Sequence, residues 1–169
     1  MILYHGSNTE IDRIDLDKCR PYKDFGKGFY TTSLKDQARA MSIRTARIYG
    51  GDSWITEYSL EDTILNDRSF HIREFYVPND EWAIFVINNR NRAFQDITSP
   101  ECNTDNKYDI VRGPVANDDL VALFDLYTSG AISIAALRAE MTYRKLTNQI
   151  SFHTERSISH LIKTGAYHG

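Results

Sequence analysis

A chain of 169 residues with 41% apolar and 25% charged side chains has enough apolar content to bury one core and too much to stay disordered. A formal charge of −3 excludes the basic excess of a general duplex-nucleic-acid binder, leaving only local basic segments, Arg39/Arg44/Arg47 and Arg90/Arg92, which read first as solvated helix faces. Cys19 and Cys102 have neither metal-ligand spacing nor the density of a disulfide scaffold, and no apolar run approaches the ~20 residues needed to span a bilayer, so free thiols, no membrane partner and a cytoplasmic location are expected.

No repeat, low-complexity tract or Pro/Gly/Ser-rich linker interrupts the chain, so a single domain over residues 1–169 is expected. Residues 2–5 are short, apolar and aromatic and end at Gly6, which predicts a strand delivering His5 to a turn. Residues 8–27 lack a period and read as a long surface loop, of a length that is usually functional. Residues 28–32 (GFYTT) predict a strand running into a helix capped by Ser33, with Asp36 three residues on. In that helix Leu34, Ala38, Met41, Thr45 and Ile48 form the apolar stripe, and Gly50–Gly51 ends it.

Residues 54–60 alternate as a strand, and a helix is predicted over 81–94 with Trp82, Phe85 and Val86 inward. Residues 108–115 (YDIVRGPV) read as a strand broken at Gly113–Pro114, followed by a helix capped by Asn117, with Asp118 and Asp119 in its first turn, ending at Gly130. A short helix from Ser133, a strand over 149–154 (QISFHT) and a final helix holding Ile158, Leu161 and Ile162 complete the order. Segments this irregular favour an α+β fold over repeated βαβ crossovers. Gly26 and Gly28 precede a strand rather than opening a helix, so neither a Rossmann nor a P-loop phosphate site is supported.

Three segments place polar or aromatic groups where a plain core strand has no use for them: LYHGS with His5, KDFGKGFYTT with Tyr30, and NQISFHT with Gln149. Singly, each has a bland reading as a turn histidine, a packing tyrosine and an edge glutamine. Together, in this order, they resemble the ADP-ribosyltransferase superfamily of the diphtheria-toxin and poly(ADP-ribose) polymerase lineage, in a His-Tyr-Gln variant. The set LYHGS, KDFGKGFYTT, YDIVRGPVAND and NQISFHT is closest to an uncharacterised bacterial family associated with toxin–antitoxin pairs, and it covers nearly the whole chain.

The resemblance implies an ADP-ribosyltransferase-like split β-sandwich core with flanking helices and an intracellular toxin that cleaves NAD⁺. It further implies a protein or nucleic-acid acceptor for the ADP-ribose and an antitoxin partner. It puts His5 on the adenosine ribose, the Gly6 backbone on the nicotinamide carboxamide and the Tyr30 ring on the nicotinamide. Ser7, Gly28 and Thr31 support them, and the loop with Asp24 and Lys27 folds over the dinucleotide. Gln149 stands where most of the superfamily has Glu; an amide can position the ribose 2′-OH but carries no charge and is no general base. A catalytically inactive NAD- or ADP-ribose-binding module is therefore the alternative. A tRNA 2′-phosphotransferase-like reading asks for a second histidine at Tyr30. Asp109 is a second candidate acid, as readily a structural partner, and Glu155 lies too far along to replace Gln149. The five histidines lack zinc spacing, so no metal is expected.

Overall fold

The computed structural model describes residues 1–142 and 144–169. It is mixed α+β, with two sheets. The first has the order β1 (Ile2–Ser7), β3 (Trp54–Ser59), β7 (Ile162–His168); the second runs β2 (Phe29–Thr31), β6 (Thr147–Phe152), β5 (Ile110–Val115), β4 (Ile72–Glu74). Leu3 and Tyr58 of the first sheet share one buried cluster with Phe29, Ile110 and Phe152 of the second, so the two sheets pack face to face. The outer face of the second sheet, through Val111, meets a second cluster built on α2 (Asp80–Arg90), α3 (Asp118–Thr128) and α4 (Ile134–Thr142).

Edge strands β1 and β2 touch at one place, an antiparallel bridge between Tyr4 and Thr32 with N···O distances of 2.7 and 2.9 Å. Continuing that register would pair Gly6 with Tyr30, but no bridge forms there. The two sheets part at the residues the sequence marked out.

Helix α1 (Lys35–Tyr49) lies on the outer face of the first sheet. A methyl group at Gly6 would overlap the Ala38 carbonyl, so this glycine is what lets the helix backbone sit directly on β1. That contact turns the helix away from the predicted orientation. Ala38 and Ser42 are buried, while Leu34, Met41 and Ile48 of the expected inner stripe are exposed. Small side chains face the sheet because close approach excludes large ones. The expected cap also differs: Leu34 takes the N-cap position without a side-chain bond, and Thr32 Oγ1, rather than Ser33, accepts the Leu34 N–H.

Helix α2 stops at Arg90, short of residue 94, because the Asn91 side chain accepts the Ala93 N–H and turns the chain out of the helix. Strand β5 is not broken at Gly113–Pro114; these residues pair with Gln149 and Asn148. The Pro114 carbonyl accepts the Trp82 indole N–H at 2.7 Å, so its backbone polar edge points away from β6 and the missing N–H interrupts no ladder bond. The predicted last helix is a single turn, α5 (Glu155–Ile158), held by a Thr154/Ser157 capping box. Ile162 then opens β7, which pairs antiparallel with β3. Ile158 and Leu161 are buried as a helical reading required, but Ile162 is exposed. Strand β4 went unforeseen. Among the described residues, no helix is long and apolar enough to cross a membrane.

Candidate functional site

The site is built on the parting of β1 and β2. Tyr4 and Thr32 use their backbone groups on each other, so Gly6 and Tyr30, two residues along each strand, also aim their N–H and C=O groups into the gap. The His5 imidazole enters that gap. Its Nδ1 lies 2.7 Å from the Tyr30 carbonyl, and its ring stacks on Phe29 at a centroid distance of 4.2 Å. A carbonyl only accepts, so Nδ1 carries the proton and donates, leaving Nε2 as an acceptor in the neutral ring. Burial lowers the His5 pKa below the ordinary histidine value, which keeps the ring neutral near pH 7. The imidazole occupies the partner that Gly6 would otherwise have and holds the strands apart.

Tyr30 is fixed by its own loop. Its hydroxyl accepts the Phe25 N–H at 2.9 Å and donates to the Gly26 carbonyl at 2.8 Å, while the Phe25 ring stacks on it at 6.1 Å. Burial first, and then the nearby Asp24 carboxylate, push the phenol pKa well above 10, so it stays protonated and the donation persists. Tyr30 pairs directly with Ser151, which puts Gln149 on the same face as a diagonal neighbour. Gln149 is half-buried, and its side chain has no hydrogen bond to another described residue.

Several of the remaining expected residues have partners within the fold. Asp24 is buried; one carboxylate oxygen binds Arg90 at 2.6 Å and the other accepts the Ala116 N–H at 2.7 Å, so it anchors the loop to α2 and to the residue that follows β5. Thr31 donates to the Ile150 carbonyl and Ser7 to the Thr9 carbonyl. Asp109 accepts from the His71 N–H and the Thr154 hydroxyl, the structural partnership that competed with a catalytic role. Lys27 sits 4.0 Å from Asp17 on a cavity of about 250 Å³ also lined by His153 and Glu155. Neither that cavity nor a second of about 250 Å³ beside Arg90 and Phe124 is lined by His5, Tyr30 or Gln149. Among the described residues, no three His, Cys, Asp or Glu side chains gather as a metal site.

His153 is a residue to which the sequence assigned no role, since within NQISFHT only Gln149 stood out. It is buried, with Nδ1 donating to the Lys27 carbonyl at 2.8 Å and Nε2 accepting from the Ser151 hydroxyl at 2.8 Å. A side chain at Gly28 would strike this ring, so Gly28 makes room for it. His153 thereby ties the start of β2 to the end of β6, holding Tyr30 and Gln149 in register. The only i, i+2 signal for this pairing was the Ser-x-His spacing within NQISFHT.

Burial lowers the His153 pKa to about 4. Below pH 6.5 the unfolded chain takes up a proton that the folded chain refuses, so stability is lost as pH falls, approaching about 3 kcal/mol by pH 4. Urea unfolding of the wild type between pH 7 and pH 4 should show this fall. His153→Gln should lack about that much of it, and parallel pH curves for the two proteins would contradict the assignment.

A family model described as Protein of unknown function (DUF3990) matches residues 1–162. No curated protein and no solved structure is a significant match to the chain.

Proposed function

We propose that this chain, which belongs to the DUF3990 family, is an NAD⁺-dependent mono-ADP-ribosyltransferase whose site is the parting of β1 and β2. The observation that carries this reading is the free backbone edge of Gly6, facing Tyr30 across a gap held open by His5. A carboxamide has one donor and one acceptor side by side, the complement of an unpaired N–H and C=O on a strand edge. The planar nicotinamide ring suits the face of a tyrosine whose hydroxyl is already fixed. The neutral His5 Nε2 is an acceptor for a ribose hydroxyl.

The chemistry is cleavage of the bond between ribose C1′ and the nicotinamide nitrogen. The bonding pair leaves with nicotinamide, positive charge builds on the ribose, and the acceptor bonds C1′ and gives up a proton. The protein's contribution is position and electrostatics: Gly6 and Tyr30 hold the leaving group, and the Gln149 amide aligns the ribose. An intracellular toxin role with an antitoxin partner goes with this reading. The neutral amide of Gln149 favours, as a second reading, a module that binds NAD⁺ or ADP-ribose without turning it over.

Calorimetric titration with NAD⁺ tests the site. Wild type should bind, Tyr30→Phe should bind more weakly because the loop loses its two hydroxyl bonds, and Tyr30→Ala should lose about 10-fold or more from the missing stacking face. Wild-type affinity in Tyr30→Ala would overturn the reading.

A further inference from the structure

Four cations and two exposed tyrosine rings gather on one strip formed by the end of α1, the loop over residues 20–24 and the end of α2. The Arg20 guanidinium lies 3.6 Å over the Tyr49 ring, and the Arg92 guanidinium 4.9 Å over the Tyr22 ring. Arg90 and Arg92 line a cavity of about 250 Å³ floored by Ile87 and Phe124, with Asp125 as its one carboxylate. Lys23 is close enough to Arg90 and Arg20 that, after burial, their charges are what lower its pKa. Among the described residues, Arg90 alone of the four has a carboxylate within ion-pair distance, Asp24.

Four cations gathered on one strip with a single ion-paired carboxylate, Asp24, repel one another, a local positive excess in a chain whose net charge is −3. The same segment holds Tyr22 at φ 58°, a left-handed conformation that is costly for tyrosine. Tyr22 and Tyr49 each have a guanidinium on one face and are still 41% and 53% exposed. Cations spaced along a groove suit a phosphate backbone. Exposed aromatic faces suit bases that are not stacked in a duplex.

We propose that this strip binds single-stranded nucleic acid, with phosphates on Arg20, Lys23 and Arg92 and bases on Tyr22 and Tyr49, and that it presents that strand to the site as the ADP-ribose acceptor. The acceptor part rests on the transferase reading; the binding part does not. The strip adjoins the site through Phe25 and Gly26, whose backbone holds the Tyr30 hydroxyl.

Fluorescence anisotropy with a labelled oligonucleotide of about 20 nucleotides, single-stranded and as a duplex, tests the binding directly. Wild type should bind the single strand more tightly than the duplex, and binding should weaken as salt rises. The combined R20Q, K23Q and R92Q variant should bind about 10-fold or more weakly and flatten the salt slope by about 2. Tyr49→Ala, at an exposed helix end, should weaken single-strand binding and leave the slope unchanged. No wild-type binding at low salt, equal binding of the duplex, or undiminished binding by the triple variant would overturn the proposal. So would a triple variant that loses NAD⁺ affinity and keeps the oligonucleotide, which would assign the cations to the dinucleotide's own phosphates. Oligonucleotide binding without nicotinamide release sinks the transferase reading and leaves the strip; nicotinamide release without oligonucleotide binding does the reverse.

Discussion

Asp24→Ala should destabilise the protein by about 3 kcal/mol, among the largest losses available to a single loop substitution here. The carboxylate is buried and both of its oxygens are used, one by Arg90 and one by the Ala116 N–H. Removing it leaves a guanidinium that is two-thirds covered without a counter-charge and strips a backbone donor of its acceptor. Asp24→Asn should lose less, because the amide oxygen can still accept from one of the two donors. The midpoint of urea unfolding measures both, and an unchanged midpoint in Asp24→Ala would remove Asp24 as the loop's anchor. The same substitution bears on the site, since Asp24 adjoins Phe25, whose N–H bonds the Tyr30 hydroxyl. A loosened loop should therefore weaken NAD⁺ binding as well.

Gln149 should control turnover in both directions. Gln149→Ala removes the group that aligns the ribose and should lower nicotinamide release by about 10-fold to 100-fold with a smaller change in NAD⁺ affinity. Gln149→Glu places a carboxylate beside the ribose as positive charge builds on it. At an effective dielectric constant of about 20, two unit charges about 4 Å apart attract by about 4 kcal/mol. Even after desolvation takes most of that, release should rise by about 10-fold. Loss of NAD⁺ binding in Gln149→Ala, with unchanged turnover per bound NAD⁺, would give Gln149 a binding role instead.

The legible parts of the fold are those whose signal is local. The Asn117 cap, the apolar stripe of α2 and the alternation of β3 are all written in windows of a few residues. Helix α1 misled because its Leu34–Met41–Ile48 stripe is a true period, yet the partner surface is a bare Gly6 backbone that admits Ala38 and Ser42 instead. Strand β7 was unreadable because its pairing with β3 lies more than 100 residues away and its own alternation is mixed with Gly165 and polar side chains. For the site, the sequence singled out His5, Tyr30 and Gln149, and sheet pairing brings these three segments together. Which partners the wider set takes up within the fold was not legible. Thr31 and Asp24 take distant partners, Ile150 and Arg90, that no motif names.

Release of nicotinamide from NAD⁺ by the purified wild-type protein, with and without added single-stranded nucleic acid, decides whether the split β1–β2 edge turns NAD⁺ over. Release should rise when the acceptor is present and fall in Gln149→Ala. NAD⁺ binding with no release under any of these conditions would contradict that turnover and leave a binding module built on the same split edge.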